Sequence, residues 1–360
     1  MRRGAWLGLA LACASPFAFL GAQPVGGAPP PGARYEGRAF DFTTVAPGVW
    51  FATGTGVVSA ESNSAIIELG DGLLVVDAQT SPAAAWALLR ELPRVSAKPV
   101  RWLVVTHLHY DHAHGTQAFP PGTTVIGTPY TRAMIAAGKS VDHPTALGNR
   151  NFAGMQVAAA TAALDTASTP AVRGALDRQR SVWEAYLASL ATLTPVPPNL
   201  TVGSRLVLHG GGREVQLFFP GKAHTDGDLV VWLPAERVLV TGDLLQPNLP
   251  YMGDGYLNDW ADVLDSLRAL EPAVVLPGHG AAFRDLAVLD RQRDYFRAVW
   301  SQVAALRAQG KTVEEASAAL DLSRFDTAYP RPAGWTDAIV LRQRLRMVQR
   351  VYTLQEQSPP

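Results

Sequence analysis

The sequence predicts an α/β protein in which two sheets pack face to face with helices on their outer faces. Three observations lead there. Short apolar runs bounded by turn residues alternate with segments of helical periodicity. That alternation recurs after an alanine-rich helical interruption, and a histidine-rich run stands directly behind a nearly continuous apolar strand pattern. With 360 residues, 48% of them hydrophobic, the chain has ample material for a core.

The elements follow in order. Residues 1–22 place Arg2 and Arg3 before an apolar stretch interrupted by Pro16 and closed by Gly21 and Ala22. This is the grammar of a signal peptide, too short and broken for a bilayer span, so cleavage after Ala22 and a periplasmic or secreted location are expected. Residues 23–36 are rich in Pro and Gly without periodic apolar positions and are expected to form a disordered leader. Strands are predicted at 49–52, 64–69 and 73–76, the last two joined by the turn Gly70-Asp71-Gly72. Ser81-Pro82 supplies an N-cap and a first-turn proline for a helix ending near Pro93. The run at 100–106, VRWLVVT, suits a buried strand, and another follows at 123–127.

Residues 155–198 then change character, with Val182, Tyr186, Leu187 and Leu190 at helical spacing before Pro195, Pro197 and Pro198. They are expected to be a helical insertion, either a lid or the dimerisation arm of a homo-oligomer, outside the catalytic scaffold. Strands resume at 204–208, 215–219, 228–233, 238–241 and 274–276, followed by helical stretches at 286–308 and 337–354. The predicted organisation is a catalytic domain over 37–285 carrying the insertion, then a C-terminal helical region over 286–360.

Charge excludes little. Lys+Arg and Asp+Glu are equal at 31 each, so no global field favours nucleic acid or an anionic membrane, and a small-molecule substrate is expected. The single cysteine, Cys13, lies in the signal segment, which removes disulfides, thiolate ligands and a thiol nucleophile from the exported chain.

The strongest chemical signal is His107-Leu108-His109-Tyr110-Asp111-His112, directly after the 100–106 strand. Three of the eight histidines fall within it. Residues spaced two apart in a loop at a strand end can converge on one point, and neutral imidazole with carboxylate is a zinc-type ligand set. Crowded imidazoles have no comparable packing use, because they repel when protonated.

This run resembles the His-x-His-x-Asp-His signature of the metallo-β-lactamase superfamily. Later motifs match in order: His224 after Gly221, Asp243 in Thr241-Gly242-Asp243, and His279 in Pro277-Gly278-His279-Gly280. The resemblance implies an αββα sandwich of two mixed sheets and two Zn2+ ions, with Fe or Mn as other metals the fold accepts. His107, His109 and His224 would bind one ion, Asp111, His112 and His279 the second, and Asp243 would bridge them. Two adjacent dications need anionic ligands to limit their repulsion, which Asp111 and Asp243 supply. Asp111 would also orient the attacking water and accept its proton. Asp77, ending the run LLVVD, would support a ligand imidazole from behind. Glycines 221, 227, 278 and 280 beside the ligands would let the loops turn tightly.

The absence of a usable thiol argues against the cysteine-ligand β-lactamase subclass, and Asp243 resembles the glyoxalase-II-like, lactonase-like and phosphodiesterase-like branches. Diiron oxidoreductases of this fold have glutamate where this chain has His109, which favours hydrolysis. Tyr251, Tyr256 and Trp260 follow Asp243 and are expected to wall the substrate pocket. Lys222 is the one cationic residue near the motifs, which favours a carbonyl substrate over a phosphodiester. His114, His143 and His209 read as supporting or loop residues.

Overall fold

The computed structural model describes residues 28–331 and 336–357, so the expected signal peptide lies outside the described residues. The first strands form an antiparallel meander, β1 (Phe40–Ala46), β2 (Val49–Gly54), β3 (Ser64–Leu69) and β4 (Gly72–Val76). Helix α1 (Pro82–Glu91) follows, its first turn capped by Ser81 Oγ, which accepts from Ala84 N–H with Pro82 at the first helical position. Strand β5 (Val100–Val104) then pairs parallel to β4. After the short helix α2 (Tyr110–Ala113), β6 (Thr124–Gly127) extends the parallel half of the sheet. Helices α3 (Pro129–Ala136), α4 (Pro144–Leu164) and α5 (Pro170–Ser189) precede β7 (Leu200–Thr201), the seventh strand of this sheet.

The second sheet has five strands in the order β12-β11-β10-β9-β8. They are β8 (Arg205–Gly210), β9 (Arg213–Phe218), β10 (Val230–Leu233), β11 (Val238–Gly242) and β12 (Val274–Pro277), with β11 and β12 parallel and the others antiparallel. Both sheets are therefore mixed. Helix α6 (Leu257–Arg268) links β11 to β12, and α7 (Ala287–Ala308), α8 (Val313–Ala319) and α9 (Asp337–Gln357) follow.

Alternation along the strands builds the layers. Ile67, Leu74 and Val76 join Val231, Val240 and Leu276 in the core between the sheets, whereas Ile66, Leu73 and Val75 turn outward onto Leu88 and Leu89 of α1. Strands buried on both faces read as continuous apolar runs, which is why β4, β10 and β11 were visible in the sequence. Strand β5, expected to be a buried strand, is buried only at Leu103 and Val104, and its Arg101 is exposed.

Three expectations about organisation change. From residue 28 the expected leader is docked: Ala33 is buried, and Tyr35 donates its hydroxyl to Glu91 Oε1 at 3.1 Å. A few anchored side chains suffice to order a Pro- and Gly-rich segment that carries no periodicity. The insertion begins at Pro144, not residue 155, and is a hairpin of α4 and α5 tied to α1, whose Ala83 N–H donates to Ser189 Oγ at 3.0 Å. The helices after residue 286 share one core with the second sheet, where Phe296, Val299, Val348 and Val351 pack with Val230, Trp232 and Val275. They are its outer layer. No helix among the described residues is long and apolar enough to cross a membrane.

Candidate metal centre

The parallel pairs β4/β5 and β11/β12 end at the same edge of the sandwich, and the chemistry stands there. Beyond β4 comes Asp77, beyond β5 come Thr106 and His107, beyond β11 comes Asp243, and beyond β12 comes His279. His224 arrives on the loop between β9 and β10. His109 has extended backbone and caps α2, placing Asp111 and His112 on its single turn.

The ligand atoms converge in two groups. His107 Nε2 and His224 Nε2 lie 3.1 and 3.0 Å from His109 Nδ1. Asp111 Oδ2 lies 3.4 Å from His112 Nε2 and 3.0 Å from His279 Nε2. Asp243 stands between: its Oδ1 is 3.3 Å from His112 Nε2, and its Oδ2 is 3.3 Å from His279 Nε2 and 3.6 Å from His224 Nε2. All seven sequence-predicted ligands are brought together.

The outward ring nitrogens of four of the five imidazoles are held by the protein, while His224 Nδ1 is buried without a hydrogen bond. Asp77 Oδ2 accepts from His112 Nδ1–H at 2.8 Å and from Thr106 Oγ1–H at 3.0 Å, while its Oδ1 accepts from Thr106 N–H at 2.8 Å. With its proton so directed, Thr106 Oγ1 is an acceptor for His107 Nδ1–H at 3.1 Å. His279 Nδ1–H donates to the Glu61 carbonyl at 2.9 Å, and His109 Nε2–H to Asp254 Oδ2 at 3.0 Å. These bonds fix tautomers so that the unprotonated nitrogens face inward. Asp77 achieves its reach with φ of 68°, a left-handed conformation uncommon for a non-glycine residue.

Two observations show that cations fit. His112 Nε2 and Asp243 Oδ1 are buried and make no hydrogen bond despite their proximity; such atoms are costly unless something else engages them. Gly278 leaves the space open, because a Cβ there would lie 2.2 Å from Asp243 Oδ1 and 2.8 Å from His112 Cε1. The charges are mutually adjusted. Burial and then the neighbouring imidazoles push His107 well below the usual histidine range, and burial with His109 brings His224 down to about 3. Burial works against charge on Asp111, Asp243, His112 and His279 alike, yet in the metal-free chain they pair. Both carboxyls lie well below their usual range and both imidazoles well above theirs, with protons that bound cations would displace to leave the inward nitrogens free.

The mouth contains residues to which the sequence assigns no site role, His143 among them, which reads as a loop histidine. His143 caps α4 and reaches Asp254 Oδ2 at 3.3 Å, so Asp254 serves two imidazoles, and His109, His143 and Asp254 form a further group able to hold a metal. Glu61 receives Tyr110 Oη at 2.5 Å and Asn149 Nδ2 at 2.7 Å. Of the expected pocket wall, Tyr251 stands with its ring 5.9 Å from that of His109. Tyr256 lies beneath two cations, Lys222 at 4.9 Å and Arg350 at 4.5 Å from its ring centre. Trp260 is a correction: it is fully buried on α6, donates Nε1–H to the Leu244 carbonyl and backs the His224 ring at 5.4 Å, so it supports a ligand and lines no pocket.

A mixed-sheet sandwich with histidine and aspartate clusters at one edge defines a metal-binding protein of the αββα kind. Residues 60–279, more than half of the chain, match the metallo-beta-lactamase superfamily, and the chain belongs to it. It is 27% identical over 241 residues to a metallo-beta-lactamase type 2 of Bacillus sp. (strain 170), covering 64% of this chain and 73% of that one. It is 28% identical over 268 residues to a linear primary-alkylsulfatase of Pseudomonas sp. (strain ATCC 19151), covering 69% of this chain and 48% of that one. A metallo-beta-lactamase structure from Pontibacter korlensis shares the fold, with a TM-score of 0.52 and 20% identity over 72% of this chain and 99% of that one.

Proposed function

We propose that this protein is an exported dinuclear zinc hydrolase that cleaves a carbonyl ester-like bond in a lactone, thioester or β-lactam. The observation that carries the reading is Asp243, one buried carboxylate in reach of both ligand groups, which gives two cations a shared anion. Five imidazoles and two carboxylates without a thiolate suit zinc. Bound there, the ions would supply an acidified water and polarise the scissile oxygen.

The chain's own residues divide the remaining work. Asp111 places a carboxylate oxygen at the second group and is the proton acceptor for the attacking water. Tyr251, beside His109, is the hydroxyl best placed to meet a substrate carbonyl; Tyr256 is engaged by Lys222 and Arg350. The relatives named metallo-beta-lactamase support a carbonyl substrate, and the relative named alkylsulfatase makes a sulfate ester the second reading.

The test is a panel of a chromogenic cephalosporin, an acyl-lactone, a glutathione thioester, bis-nitrophenyl phosphate and dodecyl sulfate. Zinc-loaded protein is assayed beside an Asp111→Asn control. Turnover of a carbonyl substrate that falls in the control is expected. Turnover confined to the phosphate or sulfate ester would overturn the substrate class, and iron in place of zinc in protein expressed without added metal would overturn the hydrolase reading.

A further inference from the structure

The last helix lies outside the region shared with the superfamily, yet it reaches the mouth of the metal centre. Arg350 of α9 donates Nε–H to the Gly255 carbonyl at 3.0 Å and stacks on Tyr256 at 4.5 Å. Tyr256 in turn donates its backbone N–H to the carbonyl of Ala223, the residue before the ligand His224, at 2.7 Å. Arg346 stands one turn earlier on the same face of α9 and is exposed. The charges of both arginines oppose the rise that burial imposes on the Tyr251 hydroxyl, which places them within electrostatic reach of the ring beside His109.

Among the described residues these cations have no paired counter-charge. Asp254 is engaged by His109 and His143, and Asp226 by Lys222 at 3.0 Å. Among the described residues neither Arg346 nor Arg350 forms an ion pair, although the chain as a whole has equal numbers of acidic and basic residues. Arg350 is already oriented by the carbonyl and the ring, and its terminal Nη groups form no hydrogen bond within the described chain. A planar fork held in this way matches an oxyanion.

We propose that Arg346 and Arg350 form an anion-recognising rim that selects substrates carrying a carboxylate, phosphate or sulfate group away from the bond to be cleaved. The inference rests on the hydrolase reading for its substrate role, while anion binding itself does not. It also revises the sequence expectation that Lys222 is the one cation near the motifs.

The test uses the zinc-loaded full chain and has two arms. Calorimetric titration with glutarate, inorganic phosphate and sulfate reads binding without turnover and separates the three anion sources. At least one should bind, and Arg346→Gln and Arg350→Gln should each weaken it about tenfold, with Arg350→Lys recovering part of the loss. In the second arm, the ratio of kcat/KM for 3-carboxyphenyl acetate over phenyl acetate should fall in the same variants, mainly through KM. Because Arg346 is exposed, its variant decides the matter even if Arg350→Gln loosens the Gly255 turn. No anion binding by the wild type, or equal binding and an unchanged ester ratio in Arg346→Gln at unchanged zinc content, overturns the rim. If neither ester is hydrolysed but the titrations differ as expected, the hydrolase reading suffers and the rim stands.

Discussion

The floor of the site and its mouth are built on different principles. On the floor, six of the seven ligands follow the ends of three strands, β5, β11 and β12, and His224 lies on one loop, with the imidazoles of His107, His112 and His279 fixed from behind by Thr106, Asp77 and the Glu61 carbonyl. The mouth is assembled from parts far apart in the chain: the start of α4, the segment between β11 and α6, and the last helix. A floor held by paired strands keeps its geometry whatever surrounds it, so the mouth can change the choice of substrate while the metal chemistry persists.

The largest effect should come from the floor's one shared ligand. Asp243→Ala removes the anion that faces both groups, so both metals should be lost and kcat/KM should fall by about a thousandfold or more. His279→Ala should mainly empty the second group. Zinc titration by calorimetry separates the two, and full loading of both variants would contradict the bridging assignment.

A smaller effect is expected at Asp77, which touches no metal position. Asp77→Ala leaves His112 Nδ1–H and the Thr106 N–H without their buried acceptor. Zinc affinity should fall about 10- to 100-fold, with about 1–3 kcal/mol lost from the stability of the metal-free chain. Urea unfolding after exhaustive chelation checks the second figure. Loss of affinity alone would show that Asp77 only orients the imidazole.

The same contrast explains what was legible in the sequence. The floor was legible because its ligands occur in motifs directly after apolar runs, and β3 falls on the expected residues 64–69. Strand β1 was not, because FDFTTVA pairs only with β2 and leaves much of its surface exposed. Helix α6 was hidden by the aromatic stretch before it, although Leu257, Trp260, Ala261, Leu264 and Leu267 keep a helical spacing that would have placed Trp260 in the core. For α8 the signal was the capping box of Thr312 and Glu315. Nothing local marks Arg350 as a neighbour of the centre, and His143 reads locally as a loop histidine, since each meets the centre through a partner about a hundred residues away. That information resides in tertiary packing.

The smallest predicted effect asks whether floor and mouth are separate at all. Asn149 of α4 donates Nδ2–H to Glu61 Oε1 at 2.7 Å, and the Glu61 carbonyl holds the ligand His279 at 2.9 Å. Burial raises the Glu61 carboxyl, and the bonds from Tyr110 and Asn149 oppose that rise. The α4–α5 hairpin, of which residues 155–198 were expected from sequence to stand outside the scaffold, is thus joined to the second ligand group through Asn149, ahead of that range. Asn149→Ala should destabilise the protein by about 1 kcal/mol and weaken zinc binding at the second group by a few-fold, roughly the lower end of what outer partners of metal ligands contribute. Gln179→Ala is the control, because it removes a side-chain amide hydrogen bond between α5 and α4, to Gln156 at 2.8 Å, on the exposed part of the hairpin away from the centre. A hairpin that merely covers the site would give the same zinc affinity in both variants. A wired hairpin lowers it only in Asn149→Ala, and by calorimetry the change should appear in the second binding event and leave the first intact.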